Sequence, residues 1–364
     1  MNNSVSQELL KFLQKSPTAF HAVQQMKSEL LAVDFTELKE NQRWNIECGK
    51  HYFVTRNDSS LIAFTIPENG IDKMHILTSH SDSPTFKIKE NPEIEVEKHY
   101  VKLNVEKYGG MLCAPWFDRP LSVAGRVIIK DKTNGQFTSK LVNIDRDLVM
   151  IPNLAIHMNR EINSGYNYNA QKDLLPLYGC GSPKGTFMEQ IAEAAGVEKD
   201  EILGHDLFLY NRQEGSIWGA SEEFISSGRL DDLQCAFASL QGFLSGEKKD
   251  CMAVHCVLDN EEVGSGTKQG AASTFLKDTL RRINDGLGRT YEEYLMTLAG
   301  SFMISADNAH ALHPNYIEKA DPVNRPLPNG GIVIKYNANQ KYCTDAVSAA
   351  KFKDLCDRAG VKYQ

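Results

Sequence analysis

Apolar positions change their spacing several times along this chain, and each change predicts a new element. Near the N-terminus, SQELLKFLQKS and PTAFHAVQQMKSELLAV repeat apolar residues every three or four positions, the spacing of one helix face. Ser16-Pro17 supplies a start for the second helix. YFVTRN, SLIAFTIP and MHILTSH are short runs with turn residues between them, which predicts strands. From about Glu90 to Ser226 the texture becomes β-rich: EIEVEKHYVKLNVEKY, GRVIIKDKTNGQF and KLVNIDRDLVMI alternate apolar with polar positions and carry turn residues. After Gly228 helices and strands alternate again. LDDLQCAFASLQGFL, TFLKDTLRRIND and DAVSAAKFKDLCDRAG predict helices, whereas CMAVHCVLD, SFMISAD and GGIVIKYN predict strands.

Such alternation predicts an α/β fold, a mostly parallel sheet with helices on both faces. The two ends of the chain, 1–90 and 227–364, are expected to form this domain, interrupted by a β-rich insertion at 91–226. A length of 364 residues suits two packed domains better than one core. There is no internal repeat and no low-complexity segment.

Composition narrows the function. The chain is 41% hydrophobic and 24% charged, values of a soluble globular protein. A net charge of −7 argues against nucleic-acid or anionic-membrane partners. The apolar runs are far shorter than a membrane span. MNNSVSQELLKFLQKS has no charged-then-apolar leader, so a cytoplasmic location is expected. Of eight cysteines, none falls in a CxxC pair, which disfavours a thiolate zinc site and suits free thiols in a reducing compartment.

Chemistry gathers where strands are expected to end. ILTSHSDSP offers His80 and Asp82, SGRLDDL offers Asp231 and Asp232, VLDNEEVGSG offers Asp259, Glu261 and Glu262, and MISADNAHALHP offers Asp307, His310 and His313. Each alone has an ordinary explanation; an Asp at a helix start is by default a cap. Recurrence at four strand ends, with oxygen and imidazole donors and no thiolates, suits zinc, manganese or cobalt. Two such ions need a bridging carboxylate, a place for Asp231, with His80, Glu262 and Asp307 as terminal donors. Glu261, beside a ligand, is then free to take a proton from the attacking water. Asp82 either orients His80 or lies near it without contact. Lys335, on an expected strand after IVI, reads by itself as a surface charge.

At these residues the sequence resembles the M18 family of metallo-aminopeptidases, the aspartyl aminopeptidase group. The matching stretches are TSHSDSP (78–84), GGMLCAPWFDRPLSVAGRV (109–127), IPNLAIHMNR (151–160), GRLDDL (228–233), DNEEVGS (259–265), SADNAHALHPNY (305–316) and IKYNANQKY (334–342), in family order. The resemblance implies a phosphorylase/hydrolase-like di-metal peptidase domain carrying a β-rich dimerisation insertion. It implies two divalent ions, zinc first with cobalt or manganese as options, and removal of N-terminal residues, Asp or Glu foremost, from peptides. By matching positions it makes His80, Asp231, Glu262 and Asp307 metal ligands, Glu261 the general acid/base and Asp82 the carboxylate behind His80. It makes Lys335, Tyr342 and His310 substrate-facing, and His157 a histidine that reaches a neighbouring subunit's site. The implied assembly is a homo-oligomer, dimers building a dodecamer.

One departure stands out. The family pattern continues into a segment bearing a last metal-binding histidine, whereas this sequence stops at DRAGVKYQ with no histidine after His313. The expectation is therefore a truncated chain with one weakened metal position and reduced or absent activity. A self-assembling scaffold with an incomplete site, or a related di-metal hydrolase of neutral aminoacyl substrates, is the competing expectation.

Overall fold

The computed structural model describes residues 3–131, 135–181, 184–247 and 250–364. The chain divides into two compact units, Met1–Ile217 with Ile225–Ala306, and Trp218–Phe224 with Asp307–Gln364. In the first unit, helices α1 (Asn3–Lys15) and α2 (Ala19–Ala32) lead into β1 (Thr36–Leu38), β2 (His51–Arg56), β3 (Ser60–Thr65) and β4 (Met74–His80). A second group of strands follows: β5 (Thr85–Val96), β6 (Tyr100–Tyr108), β7 (Leu121–Lys130), β8 (Phe137–Asn143) and β9 (Leu177–Cys180). Next come α3 (Phe187–Ala195), β10 (Ile202–Asn211) and a two-stranded ribbon of β11 (Ser216–Trp218) and β12 (Phe224–Ser226). The chain then returns through α4 (Leu230–Ser245), β13 (Met252–Leu258), α5 (Phe275–Gly286), α6 (Tyr291–Gly300) and β14 (Phe302–Ser305). Part of the DKTNG turn expected between β7 and β8, at 132–134, lies outside the described residues.

The first sheet has the order β1-β2-β3-β13-β4-β14. Its pairings β1–β2, β13–β4 and β14–β4 are parallel, while β2–β3 and β3–β13 are antiparallel. The fold is therefore α/β, with a mixed and mostly parallel sheet. Helices cover both faces, as the apolar spacing predicts. On one face α1, α2 and α4 bury Leu13, Met26, Leu30, Leu233, Phe237 and Leu240 against Phe53, Leu61 and Val257. On the other, α5 and α6 bury Phe275, Leu280, Ile283 and Tyr294 against Ile62, Phe64, Val254 and Cys256. Because β13 is covered on both sides it reads as a continuous apolar run.

A separate antiparallel sheet, β8-β7-β10-β5-β6-β9, has its own core of Phe86, Leu103, Val105, Val123 and Leu207. Helix α3 lays Phe187 and Ile191 on it. Apolar spacing does not single out α3 or α6; α6 is marked instead by a capping box, with Glu293 N–H donating to Thr290 Oγ1 at 3.3 Å and Thr290 N–H to Glu293 Oε2 at 2.7 Å.

The second unit holds α7 (Ala346–Ala359), opened by Asp345, whose Oδ1 accepts from Ser348 N–H at 2.7 Å. GGIVIKYN, expected as a strand, makes one isolated bridge there, Ile332 with Tyr363. Among the described residues, Ile332 and Ile334 N–H donate to the carbonyls of Lys362 and Gln364, a shorter stretch of pairing than a ladder requires. Among the described residues no helix is long and apolar enough to cross a membrane.

Candidate metal centre

The parallel register of β13 and β4 pairs Leu258 with His80, so both strands end at one level. Open α/β sheets place ligands beyond that edge. His80 is the last residue of β4, and the turn after β13 carries Asp259 to Glu262. Asp231 and Asp232 arrive from the start of α4, where the backbone is not yet helical and the Asp231–Asp232 peptide is cis.

The His80 ring is aimed by its neighbours. Its Nδ1 lies 3.2 Å from both the Asp82 carbonyl and Asp82 Oδ1. A proton on Nδ1 satisfies these acceptors and leaves the Nε2 lone pair facing the acids. Nε2 is 3.4 Å from Asp231 Oδ1 and 4.0 Å from both Asp232 Oδ2 and Glu261 Oε2. Donor atoms of His80, Asp231 and Asp232 lie within 4.8 Å of one another, as do those of His80, Glu261 and Glu262. One imidazole thus joins two groups of carboxylates, a donor set that suits zinc.

Charge supports the same fit. Burial, with the like charges of Asp231, Asp82 and Glu261, lifts the Glu262 carboxyl to about 7 against the pull of His80. The site holds more negative charge than its side chains neutralise, a deficit that a divalent cation removes. Asp259 does not join these groups. It is buried, its Oδ1 accepts from Asn260 N–H at 2.7 Å, and burial beside Asp82 lifts it to about 6.

Asp82 has a larger part than its spacing from His80 suggests. Besides His80 it accepts Glu261 N–H on Oδ1 and Glu262 N–H on Oδ2, both at 3.2 Å. Tyr108 Oη donates to Oδ2 at 2.7 Å. Asp232 also differs from its sequence reading. The N-cap residue Arg229 makes no side-chain cap bond, and fully buried Asp232 accepts His80 N–H at 3.1 Å, tying α4 to β4. Ser83 Oγ adds a bond to the Asp231 carbonyl at 2.7 Å. Asp231 and Glu261 keep side chains 56% and 55% exposed, open to an incoming ligand.

Asp307, His310, Lys335 and Tyr342 belong to the second unit, where Lys335 Nζ lies 2.8 Å from Asp307 Oδ2 and 5.3 Å from the centre of the Tyr342 ring. His157 is exposed in a short 3₁₀ turn, Ile156–Met158.

Comparison with known proteins agrees with this chemistry. Residues 12–364 match the family model "Aminopeptidase I zinc metalloprotease (M18)". A "Probable M18 family aminopeptidase 2" of Clostridium novyi is 47% identical over 372 residues, covering 100% of this chain and 86% of that protein. Among solved structures, one described as the "Cryo-EM structure of the Ape4 and Nbr1 complex" aligns with a TM-score of 0.94 at 35% identity, covering 100% of this chain and 74% of that one. The mApe1 dodecamer of S. cerevisiae aligns at 0.86 and 28% identity, covering 99% and 84%. A match across almost the whole length, on a fold whose strand ends gather imidazole and carboxylates, has one meaning: the chain belongs to the M18 family of zinc metallo-aminopeptidases.

Proposed function

We propose that this M18 aminopeptidase releases N-terminal Asp or Glu from peptides, using two zinc ions held around His80, Asp231 and Glu262, with Glu261 as general acid/base. The observation that carries the reading is the meeting of His80 with acids from α4 and from the turn after β13. Zinc, when bound, supplies Lewis acidity toward the scissile carbonyl. The chain's own residues do the rest. Glu261, exposed and adjacent to Glu262, takes a proton from the attacking water and returns it to the leaving amine. Asp82 holds the His80 ring and the Glu261–Glu262 backbone in place. Asp307 enters as a further ligand through its motif, and so do His310 and Tyr342 as substrate-facing donors. Lys335 is the cation assigned to an acidic side chain.

The segment 91–226 is assigned to assembly. A solved relative is described as a dodecamer, and Leu154, Ile156 and Met158, flanking His157, are exposed apolar side chains of the kind that subunit contacts cover. His157 would then face a neighbouring subunit.

The test is hydrolysis of aspartyl, glutamyl, leucyl and alanyl substrates, with and without added zinc, by the chain and by His80→Ala. Zinc-stimulated cleavage that favours the acidic substrates and disappears in His80→Ala is expected. Equal or faster cleavage of neutral substrates would overturn the acidic preference, and full activity after zinc removal would overturn the metal role.

A further inference from the structure

Tyr108 ends β6, a strand of the antiparallel sheet, yet its hydroxyl lies among residues that follow β4 and β13. The bonds around it have one consistent direction. Asn260 Oδ1 accepts from Thr267 Oγ1 and Gln269 Nε2, both at 2.7 Å. The amide nitrogen therefore faces Tyr108 and donates to its oxygen at 2.8 Å. With that oxygen occupied as acceptor, the hydroxyl proton goes to Asp82 Oδ2 at 2.7 Å. Asp82 is 4% exposed, so its negative charge depends on such donors. Its two oxygens also hold Glu261 N–H, Glu262 N–H and His80 Nδ1. The backbone after Tyr108 passes close by: Gly109 has a φ of +77°, and a Cβ there would stand 3.0 Å from Glu262 Cβ.

We propose that Tyr108 is a positioning residue of the metal centre, its hydroxyl fixing the Asp82 carboxylate and thereby the aim of His80 and of the Glu261–Glu262 turn. This rests on the zinc-site reading above. The antiparallel sheet then sets metal affinity as well as shape. Without the hydroxyl, Asp82 loses its shortest hydrogen bond to a side chain, and the groups it aligns lose a common reference. Partners behind a metal ligand typically contribute about 10–100-fold to affinity.

The experiment is equilibrium zinc affinity by chelator competition, with the Tm of the metal-free protein, for the full chain, Tyr108→Phe and Phe208→Leu. Phenylalanine keeps the ring against Phe208, 5.6 Å away edge-on, and removes only the hydroxyl. Tyr108→Phe is expected to bind zinc about 10-fold more weakly or worse and to shift the visible absorption bands of the cobalt-loaded protein. Phe208→Leu loosens the ring but keeps the hydroxyl, so its Tm should fall with affinity changed less than about twofold. Unchanged affinity in folded Tyr108→Phe, or an equal loss in Phe208→Leu, overturns the proposal. If Tyr108→Phe does not fold, Asn260→Ala takes its place: it unfixes the hydroxyl and is expected to weaken zinc several-fold, and wild-type affinity there overturns the proposal too. An unaltered chain that binds no zinc refutes the metal-site reading itself, a result distinct from a zinc-binding chain that is indifferent to Tyr108→Phe.

Discussion

Glu261 and Glu262 are neighbours with different surroundings. Glu262 is half-buried and crowded by like charges, whereas more than half of the Glu261 side chain is exposed. That difference supports the proposed division, Glu262 as ligand and Glu261 as acid/base. Glu261→Gln keeps size and polarity but accepts no proton, so kcat should fall by about 10²–10⁴-fold while zinc content measured by metal analysis stays near that of the unaltered chain. A variant with normal turnover would refute the assignment. His80, Asp231, Glu261 and Glu262 were legible as acids and an imidazole placed at strand ends. Asp232 was offered beside Asp231 but without the bond it makes, and Tyr108 and Asn260 were not offered. Asp232 reads as a cap because its bonding partner, the His80 N–H, lies 152 positions away. Tyr108 sits in an alternating strand, where a tyrosine ordinarily signals packing.

Elements follow local pattern where burial is one-sided. The amphipathic spacing of α1, α2, α4, α5 and α7 is visible in the chain, and so is the apolar run of β13. β13 also carries a polar residue into the core. His255 is fully buried, stacks on Phe243 of α4 at 5.8 Å, and has no hydrogen-bond partner for either ring nitrogen among the described residues. Burial holds it down at about 3, against an ordinary 6.5. The unfolded chain therefore binds this proton first. The stability that His255 permits is complete above pH 6.5 and is lost as pH falls toward 3. At 1.36 kcal/mol per pH unit the loss reaches about 2 kcal/mol by pH 5. Urea unfolding between pH 8 and pH 5 should show His255→Phe losing less stability on acidification than the unaltered chain; identical slopes would exclude His255 as a source. His21, held down to about 4 by burial and by Arg229, adds a slope of the same sign that both proteins share.

At the scale of the whole molecule, two sheets divide the labour. The mixed sheet presents the ends of β4 and β13, and the antiparallel sheet brings Tyr108 to them. The proposed assembly adds a level above this. Replacing both Ile156 and Met158, which are exposed, by Asp should convert a large homo-oligomer into smaller species in sedimentation analysis, with circular dichroism unchanged; a monomeric unaltered chain would refute the assembly. The sequence by itself determined the α/β class, the β-rich middle and the metal-binding character, because helix and strand periods and donor types are local properties that survive as a one-dimensional pattern. Tertiary structure alone decided that β2–β3 and β3–β13 run antiparallel within the first sheet, that GGIVIKYN forms an isolated bridge at Ile332 instead of a ladder, and that Asp82 collects four donors from three parts of the chain. Those outcomes depend on which distant segments become neighbours, and pairing between distant segments leaves no period in the sequence to read.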